Sequence, residues 1–87
     1  MFNARRKRDF DRVFNGSEEG QRVLGELYKM CGYKSQVFSN DPHQTAFNAG
    51  KHRIAQGIAS ILNQKEEDIQ RAIKVHEEAI IAERKQQ

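Results

Sequence analysis

The sequence predicts an all-α protein, a small three-helix domain followed by a long or extra C-terminal helix. Two observations support this fold class. Apolar residues recur at intervals of three and four positions in each long segment, as they do on the buried stripe of an α-helix. Helix-starting residues stand at Ser17 and Asp41, and Gly32 stands where a left-handed C-terminal cap residue belongs.

Length and composition indicate one domain with a thin core. The chain has 87 residues, of which 37% are hydrophobic and 31% are charged. This balance predicts that some helix surface stays uncovered unless a partner covers it. The single cysteine, Cys31, excludes an intrachain disulfide. No apolar stretch approaches the roughly 20 residues of a membrane span, so we expect no membrane association.

The first helix is predicted over residues 4–14, with Phe10, Val13 and Phe14 as its apolar stripe. Ser17 is a good N-cap for a second helix, because its hydroxyl can accept a hydrogen bond from a backbone N–H of the first turn. The two glutamates that follow it suit the positive end of the helix dipole.

The second helix is predicted to end just before Gly32. Its apolar face is broad and consists of Val23, Leu24, Leu27, Tyr28, Met30 and Cys31. We expect Tyr33 to fold back on that face. Residues 34–40 lack helical periodicity and are predicted to form a loop whose Val37 and Phe38 fill the core.

A third, long helix is predicted to begin at Pro42, after the N-cap Asp41 and with Gln44 completing a capping box. We expect its buried face to consist of Phe47, Ile54, Ile58, Ile61 and Leu62. Gly50 and Gly57 lie inside this helix, where each glycine costs about 1 kcal/mol relative to alanine. That cost indicates close approach of another helix, and we expect the second helix to cross near Gly50.

Residues 65–84 are again predicted to be helical, with a narrow apolar stripe typical of an association seam. We therefore expect a partner-binding surface that consists of Ile69, Ile73, His76, Ile80 and Ile81. Residues 63–67 leave two alternatives open, because a capping box that begins at Asn63 would start a fourth helix, whereas nothing there forbids a continuous third one.

The expected organisation is therefore a single helical domain over residues 1–87. It consists of a basic N-terminal arm (1–9), a helical core (10–64) and a projecting C-terminal helix (65–87).

Few residues could carry catalysis or bind a metal. His43 and His52 are nine positions apart, about 13 Å along a helix, so they cannot share one ion. His76 lies in an isoleucine stripe, as packed or interfacial histidines do. Cys31 has no histidine or acid beside it in the sequence and lies on an apolar helix face. We therefore expect no catalytic residue, no cofactor and no metal site, and a protein that binds without catalysing a reaction.

A cluster of cations near the N-terminus is the other candidate site. The formal net charge is +3, but the positive residues concentrate at one end, at Arg5, Arg6, Lys7, Arg8 and Arg12. Such a cluster can neutralise nucleic-acid phosphates in a salt-dependent way, or it can meet an acidic protein surface. A solvated helix end without a specific role is the third interpretation.

One pattern spans the middle of the chain. Phe10-x3-Phe14 is followed by Gly-Gln-Arg-Val-Leu at residues 20–24, then by Asp41-Pro42 and by Thr-Ala-Phe-x2-Gly-x2-Arg at residues 45–53. From Phe10 to Leu62 the chain resembles a family of small tailed-bacteriophage proteins encoded among virion head and assembly genes. The resemblance implies that Gly50 allows close helix contact and that Arg53 anchors the loop around Phe38.

The resemblance also implies a bacteriophage protein without catalytic activity that is made in the host cytoplasm and associates with the virion or its assembly. We therefore expect a non-enzymatic protein-interaction subunit, structural or assembly-associated, with a protein partner or a homo-oligomer. Phage head and portal components are the candidate partners. The alternatives are a nucleic-acid-binding accessory protein that uses the basic N-terminus, and a phage factor that binds a host protein.

Overall fold

The structure is a computed structural model, which describes residues 4–33 and 36–85 of the chain. Its elements, in chain order, are α1 (Ala4–Phe10), a π-helical turn (Asp11–Asn15), α2 (Glu18–Met30), α3 (Pro42–Leu62) and α4 (Glu66–Lys85). Within these two ranges there is no β-strand, so the predicted all-α class is confirmed. The first three residues of the predicted basic arm, residues 34 and 35 of the predicted loop and the last two residues of the chain lie outside the described part.

The first helical segment extends through Asn15, but its last turn is π-helical. The wider turn leaves Phe10 and Phe14 half-buried with ring centroids 5.8 Å apart, whereas Val13 is exposed, contrary to the prediction. Gln21 of α2 donates its side-chain amide to the Phe14 carbonyl oxygen at 2.9 Å. That bond satisfies an acceptor near the end of the helical segment, where carbonyls lack intrahelical partners.

Both ends of α2 follow the sequence signals. Ser17 Oγ accepts a hydrogen bond from the Gly20 N–H at 3.0 Å, as an N-cap does. Gly32 has a φ of 68°, and the N–H of Tyr33 donates to the Tyr28 carbonyl at 3.0 Å. These are the bonds of a Schellman C-cap. They bring Tyr33 back over Tyr28, with ring centroids 5.8 Å apart, as predicted.

Helices α2 and α4 cross closely at Gly25. A Cβ added to Gly25 would lie 2.1 Å from the carbonyl oxygen of Ala72 and 2.8 Å from the Cβ of His76. The predicted crossing of α2 near Gly50 is therefore wrong, because nothing lies within 4 Å of a Cβ built at Gly50. The two helices that approach each other need small residues where they touch, and Gly25 faces Ala72 for that reason.

The core lies between α2, α4 and the second half of α3. Its buried side chains are Leu24, Tyr28, Ala55, Ala59, Leu62, Ile69, Ala72 and Ile73. Two corrections follow. The face that α3 buries is formed by alanines at one-turn spacing and by Leu62, while Phe47 and Ile54, predicted to be buried, are exposed. The first half of α4 is part of the core, so the C-terminal helix does not project from it as predicted.

The α3–α4 junction decides between the two alternatives left open by the sequence. Asn63 has a φ of 56° and its N–H donates to the Ser60 carbonyl, which ends α3 in a left-handed cap. The N–H of Lys65 then donates to Asp68 Oδ2 at 3.0 Å, as in the second half of a capping box. A fourth helix therefore begins after Lys65, two residues later than a box that started at Asn63 would allow.

Candidate interaction surfaces

An exposed apolar surface lies along α3. Phe47 and Ile54 are 61% and 60% exposed, and Ile61 is half-buried. Together with Gly50 and Gly57, which have no side chain, these residues form one stripe, called here the α3 face. No neighbouring atom lies within 4 Å of a Cβ built at either glycine. The stripe repeats every seven positions, which is the spacing of a helix seam that meets another helix.

The chain around the beginning of α3 contributes nothing to the core. From residue 36 to residue 54 no described residue is buried. The loop before α3 bonds instead to α3 itself, since Ser39 N donates to Thr45 Oγ1 at 2.8 Å and Asn48 Nδ2 donates to the Val37 carbonyl at 3.2 Å. The first half of α3 is therefore supported by its own loop and lies beside the core.

Phe38, predicted to fill the core, is 70% exposed. Val37 is half-buried and lies outside the core cluster. The anchors of this loop are Thr45 and Asn48, whereas Arg53, the anchor that the resemblance implied, is exposed. The prediction for both Phe38 and Arg53 is therefore wrong.

A groove of about 400 Å³ runs between α2 and α4. Its apolar part is formed by Val23, Ala79 and Ile80. The remaining lining residues are Glu19, Arg22, Glu26, His76 and Glu83. We call it the α2–α4 groove. Arg22 lies 3.6 Å from Glu19 Oε1, and this ion pair offsets its positive charge. The charges at the rim of the groove are therefore mainly those of carboxylates.

The predicted isoleucine seam divides between this groove and the core. Ile69 and Ile73 are buried against α2 and Leu24, so they are not available to a partner, and their assignment to a partner-binding surface is wrong. His76 and Ile80 line the α2–α4 groove, and Ile81 is 52% exposed beside it. The stripe is narrow because α4 packs chiefly against α2, and that helix belongs to the same chain.

The predicted basic cluster lies on α1 and on the first residues of the π-helical turn. Arg5, Arg8 and Arg12 are exposed and share one side of the helix, at spacings of three and four. Arg6 is also exposed. Lys7 forms an ion pair with Asp11, at 2.8 Å. That hydrogen-bonded ammonium lowers the pKa of the Asp11 carboxyl.

A polar cluster that the sequence did not reveal joins α2 to the α3–α4 junction. The Tyr28 hydroxyl donates to Gln64 Oε1 at 2.7 Å, and the Tyr33 hydroxyl donates to the Glu66 carboxylate. Burial raises the pKa of Tyr28, and the hydrogen bond to Glu66 raises that of Tyr33 and lowers that of Glu66. His52 stacks on Tyr33 with centroids 5.6 Å apart. The only earlier signal was the cap at Gly32, which places Tyr33 over α2.

The candidate catalytic and metal-binding side chains lie in different environments. His43 is exposed at the start of α3, His52 stacks on Tyr33, and His76 lies at the α2–α4 crossing. Cys31 is half-buried. Across residues 4–33 and 36–85, no three histidine, cysteine or acidic side chains come together as metal ligands would. In the same residues, no helix is both long enough and apolar enough to cross a membrane.

Comparison with protein families accounts for the pattern around Phe10. Residues 10–74 match the model of a family described as Bbp19-like phage protein. The matched range includes every core residue of the fold. Comparisons with curated proteins and with solved structures found no match. The match covers most of the 87 residues. The chain therefore belongs to the Bbp19-like family of bacteriophage proteins.

Proposed function

We propose that this bacteriophage protein is a non-enzymatic protein-interaction subunit that forms part of the virion or takes part in its assembly. The observation that carries the proposal is the α3 face, where Phe47 and Ile54 are exposed on a helix whose first half adds nothing to the core. Contiguous exposed apolar side chains on a small protein are typical of a surface that a partner covers. The partner is a second copy of this chain or another protein, with phage head and portal components as the candidates.

The arrangement of reactive side chains supports a binding role over a catalytic one. Hydrogen bonds in the described part of the chain join Tyr33 to Glu66 and Tyr28 to Gln64, and both pairs connect helices. Cys31 has no hydrogen bond to a histidine or a carboxylate there that would activate its thiol. These two side-chain pairs thus hold α2 to the α3–α4 junction.

Capture from infected cells tests the proposal. A tagged wild-type protein is expected to recover phage virion or assembly proteins, and a Phe47→Asp, Ile54→Asp double variant is expected to lose them. Val13→Asp serves as the matched control, since Val13 is equally exposed but lies on the π-helical turn, away from the α3 face. Recovery of a single host enzyme by all three proteins would contradict the proposal and favour a host-directed factor.

We propose that the protein is made in the bacterial host cytoplasm and that the mature virion is its final location if it is structural. Mass spectrometry of purified particles separates these two roles. A virion component is expected at a fixed ratio to the head proteins, whereas an assembly factor is expected in lysates and absent from purified particles.

A second candidate function, nucleic-acid binding, is favoured by the exposed stripe of Arg5, Arg8 and Arg12 on one side of α1. Binding through phosphates should weaken steeply with salt. Replacing the three arginines with glutamine should reduce the slope of log affinity against log salt by about 3 for duplex DNA. Absence of DNA binding at low salt would dismiss this candidate.

A further inference from the structure

We infer that the α3 face of one molecule docks in the α2–α4 groove of a second copy of this chain. The inference rests on the proposed function and specifies one partner for the exposed surface. Three features carry it: the apolar stripe on α3, the opposite charge of the two surfaces, and the amount of surface that the single chain leaves uncovered.

The α3 face has the shape of a helix surface that meets another element closely. Large side chains at positions 47, 54 and 61 alternate with the glycines at 50 and 57. Phe47 and Ile54 stand out from the helix, and the glycines between them leave shallow gaps into which side chains of a partner can enter. A helix stripe of this kind fits a groove between two helices.

The charge of α3 specifies what the partner surface must carry. From Pro42 to Leu62 the helix contains no aspartate and no glutamate. Its formal charges are Lys51, whose ammonium lies 5.1 Å from the centre of the Phe47 ring, and Arg53, which is exposed. A complementary surface is therefore apolar in the middle and carries carboxylates at its edges.

The α2–α4 groove has that composition. Its apolar part includes Val23, which is 50% exposed, and Ile80. The carboxylates of Glu26 and Glu83 line it and form no ion pair with any described residue. An α3 face in the groove would bring Lys51 and Arg53 near these carboxylates. Two α3 faces against each other would instead bring like charges together, which opposes that pairing.

The uncovered surface has the size that such an interface needs. The chain exposes 6579 Å², about 1,300 Å² more than the ~5,300 Å² typical of a compact monomer of its mass. Stable interfaces bury about 800 Å² on each partner. Because the face and the groove are different patches, each copy can bind two neighbours, and the assembly closes into a ring or continues as a chain.

Mixing two variants tests the inference on the purified protein alone. Ile54→Asp places a charge in the α3 face, and Val23→Asp places one in the α2–α4 groove. Both positions are at least half exposed, so the helical content measured by circular dichroism should not change. By light scattering, the wild type is expected to associate as its concentration rises, each variant to stay monomeric, and an equimolar mixture to form one-to-one dimers. Val13→Asp should associate like the wild type.

Charge reversal supplies the second arm. Lys51→Glu with Arg53→Glu, and separately Glu26→Lys with Glu83→Lys, are each expected to weaken association by more than about tenfold. A mixture of the two reversed proteins should restore it, because the opposite charges then face each other again.

Two outcomes would overturn the inference. A wild type that stays monomeric at every concentration excludes self-docking, and normal assembly of Val23→Asp shows that the groove is not the docking site. Either result leaves the capture experiment from infected cells unaffected. Failure of the wild-type protein to recover phage proteins in that experiment, with intact self-association, would instead remove the proposed function.

Discussion

At the scale of single residues, Gly25 is a position where the fold tolerates little change. The carbonyl of Ala72 occupies the space that a Cβ would need, so Gly25→Ala must push α4 away from α2. Overpacking of this kind costs about 1–3 kcal/mol, more than the gain of about 1 kcal/mol in helix propensity. We expect a lower free energy of unfolding in urea and a lower midpoint temperature.

Gly57→Ala is the matched control, because the same substitution is made in a helix with open space around it. At Gly57 the substitution changes only the helix propensity, which is higher for alanine than for glycine. The free energy of unfolding is therefore expected to rise by about 1 kcal/mol. Equal effects of the two substitutions would contradict the close crossing at Gly25.

The Tyr33–Glu66 pair predicts how stability changes with pH. The pKa of Glu66 is lowered from 4.5 by its hydrogen bond with Tyr33, so the stability it contributes is present above pH 4.5 and is lost as pH falls through the folded pKa. The pKa of Tyr33 is raised from 10.0, so its contribution is fully present below pH 10.0 and is lost as pH rises through the folded pKa. Urea titrations should show Tyr33→Phe destabilised at pH 7 and closest to the wild type at the two extremes.

At the scale of helices, the caps predict two different kinds of stability loss. Ser17 caps α2, whose Leu24 and Tyr28 are in the core, so Ser17→Ala should lower the free energy of global unfolding by about 1 kcal/mol. Asp41 caps α3 by accepting the N–H of His43, in a region without buried residues. Asp41→Ala should therefore fray the start of α3 and leave global unfolding almost unchanged, as amide exchange and urea titration would show together.

The helix boundaries could be predicted because they depend on local chemistry. Asp41 and Pro42 start α3, and Gly32 belongs to the C-terminal cap of α2. Both caps depend on hydrogen bonds between residues only a few positions apart. The π-helical turn could not be predicted, since a change of hydrogen-bond register near Phe14 leaves no pattern in the side chains. A glycine inside a helix indicates a close crossing, and Gly25 does lie at one. Gly50 and Gly57 are also inside a helix, but no other helix crosses there, so the sequence alone could not identify the right glycine.

The candidate surfaces were harder to predict for a physical reason. Periodicity shows which face of a helix is apolar, but it does not show whether the same chain covers that face. Ile69 and Ile73 were predicted as an interface and are core, whereas Phe47 and Ile54 were predicted as core and are exposed. Burial by the same molecule depends on how helices cross, and that depends on residues far apart in the sequence.

At the scale of the whole molecule, the fold has one firmly packed part and one lightly supported part. The core residues come from α2, α4 and the end of α3, and residues 36–54 contribute none. Amide exchange should therefore be slow in α2 and the first half of α4 and fast in the first half of α3. If α3 docks on a neighbour, its amide exchange should slow as protein concentration rises. The exchange rate of α2 residues outside the groove should stay constant.

The smallest dimension of the molecule is 18 Å, against 43 and 39 Å along the other axes. Two packed helices have axes about 8–10 Å apart, so the molecule is a flat plate about two helices deep. In such a plate every helix keeps one side toward the outside, and no side chain is far from either surface. A layer built from copies of this chain would therefore cover a large area for its mass.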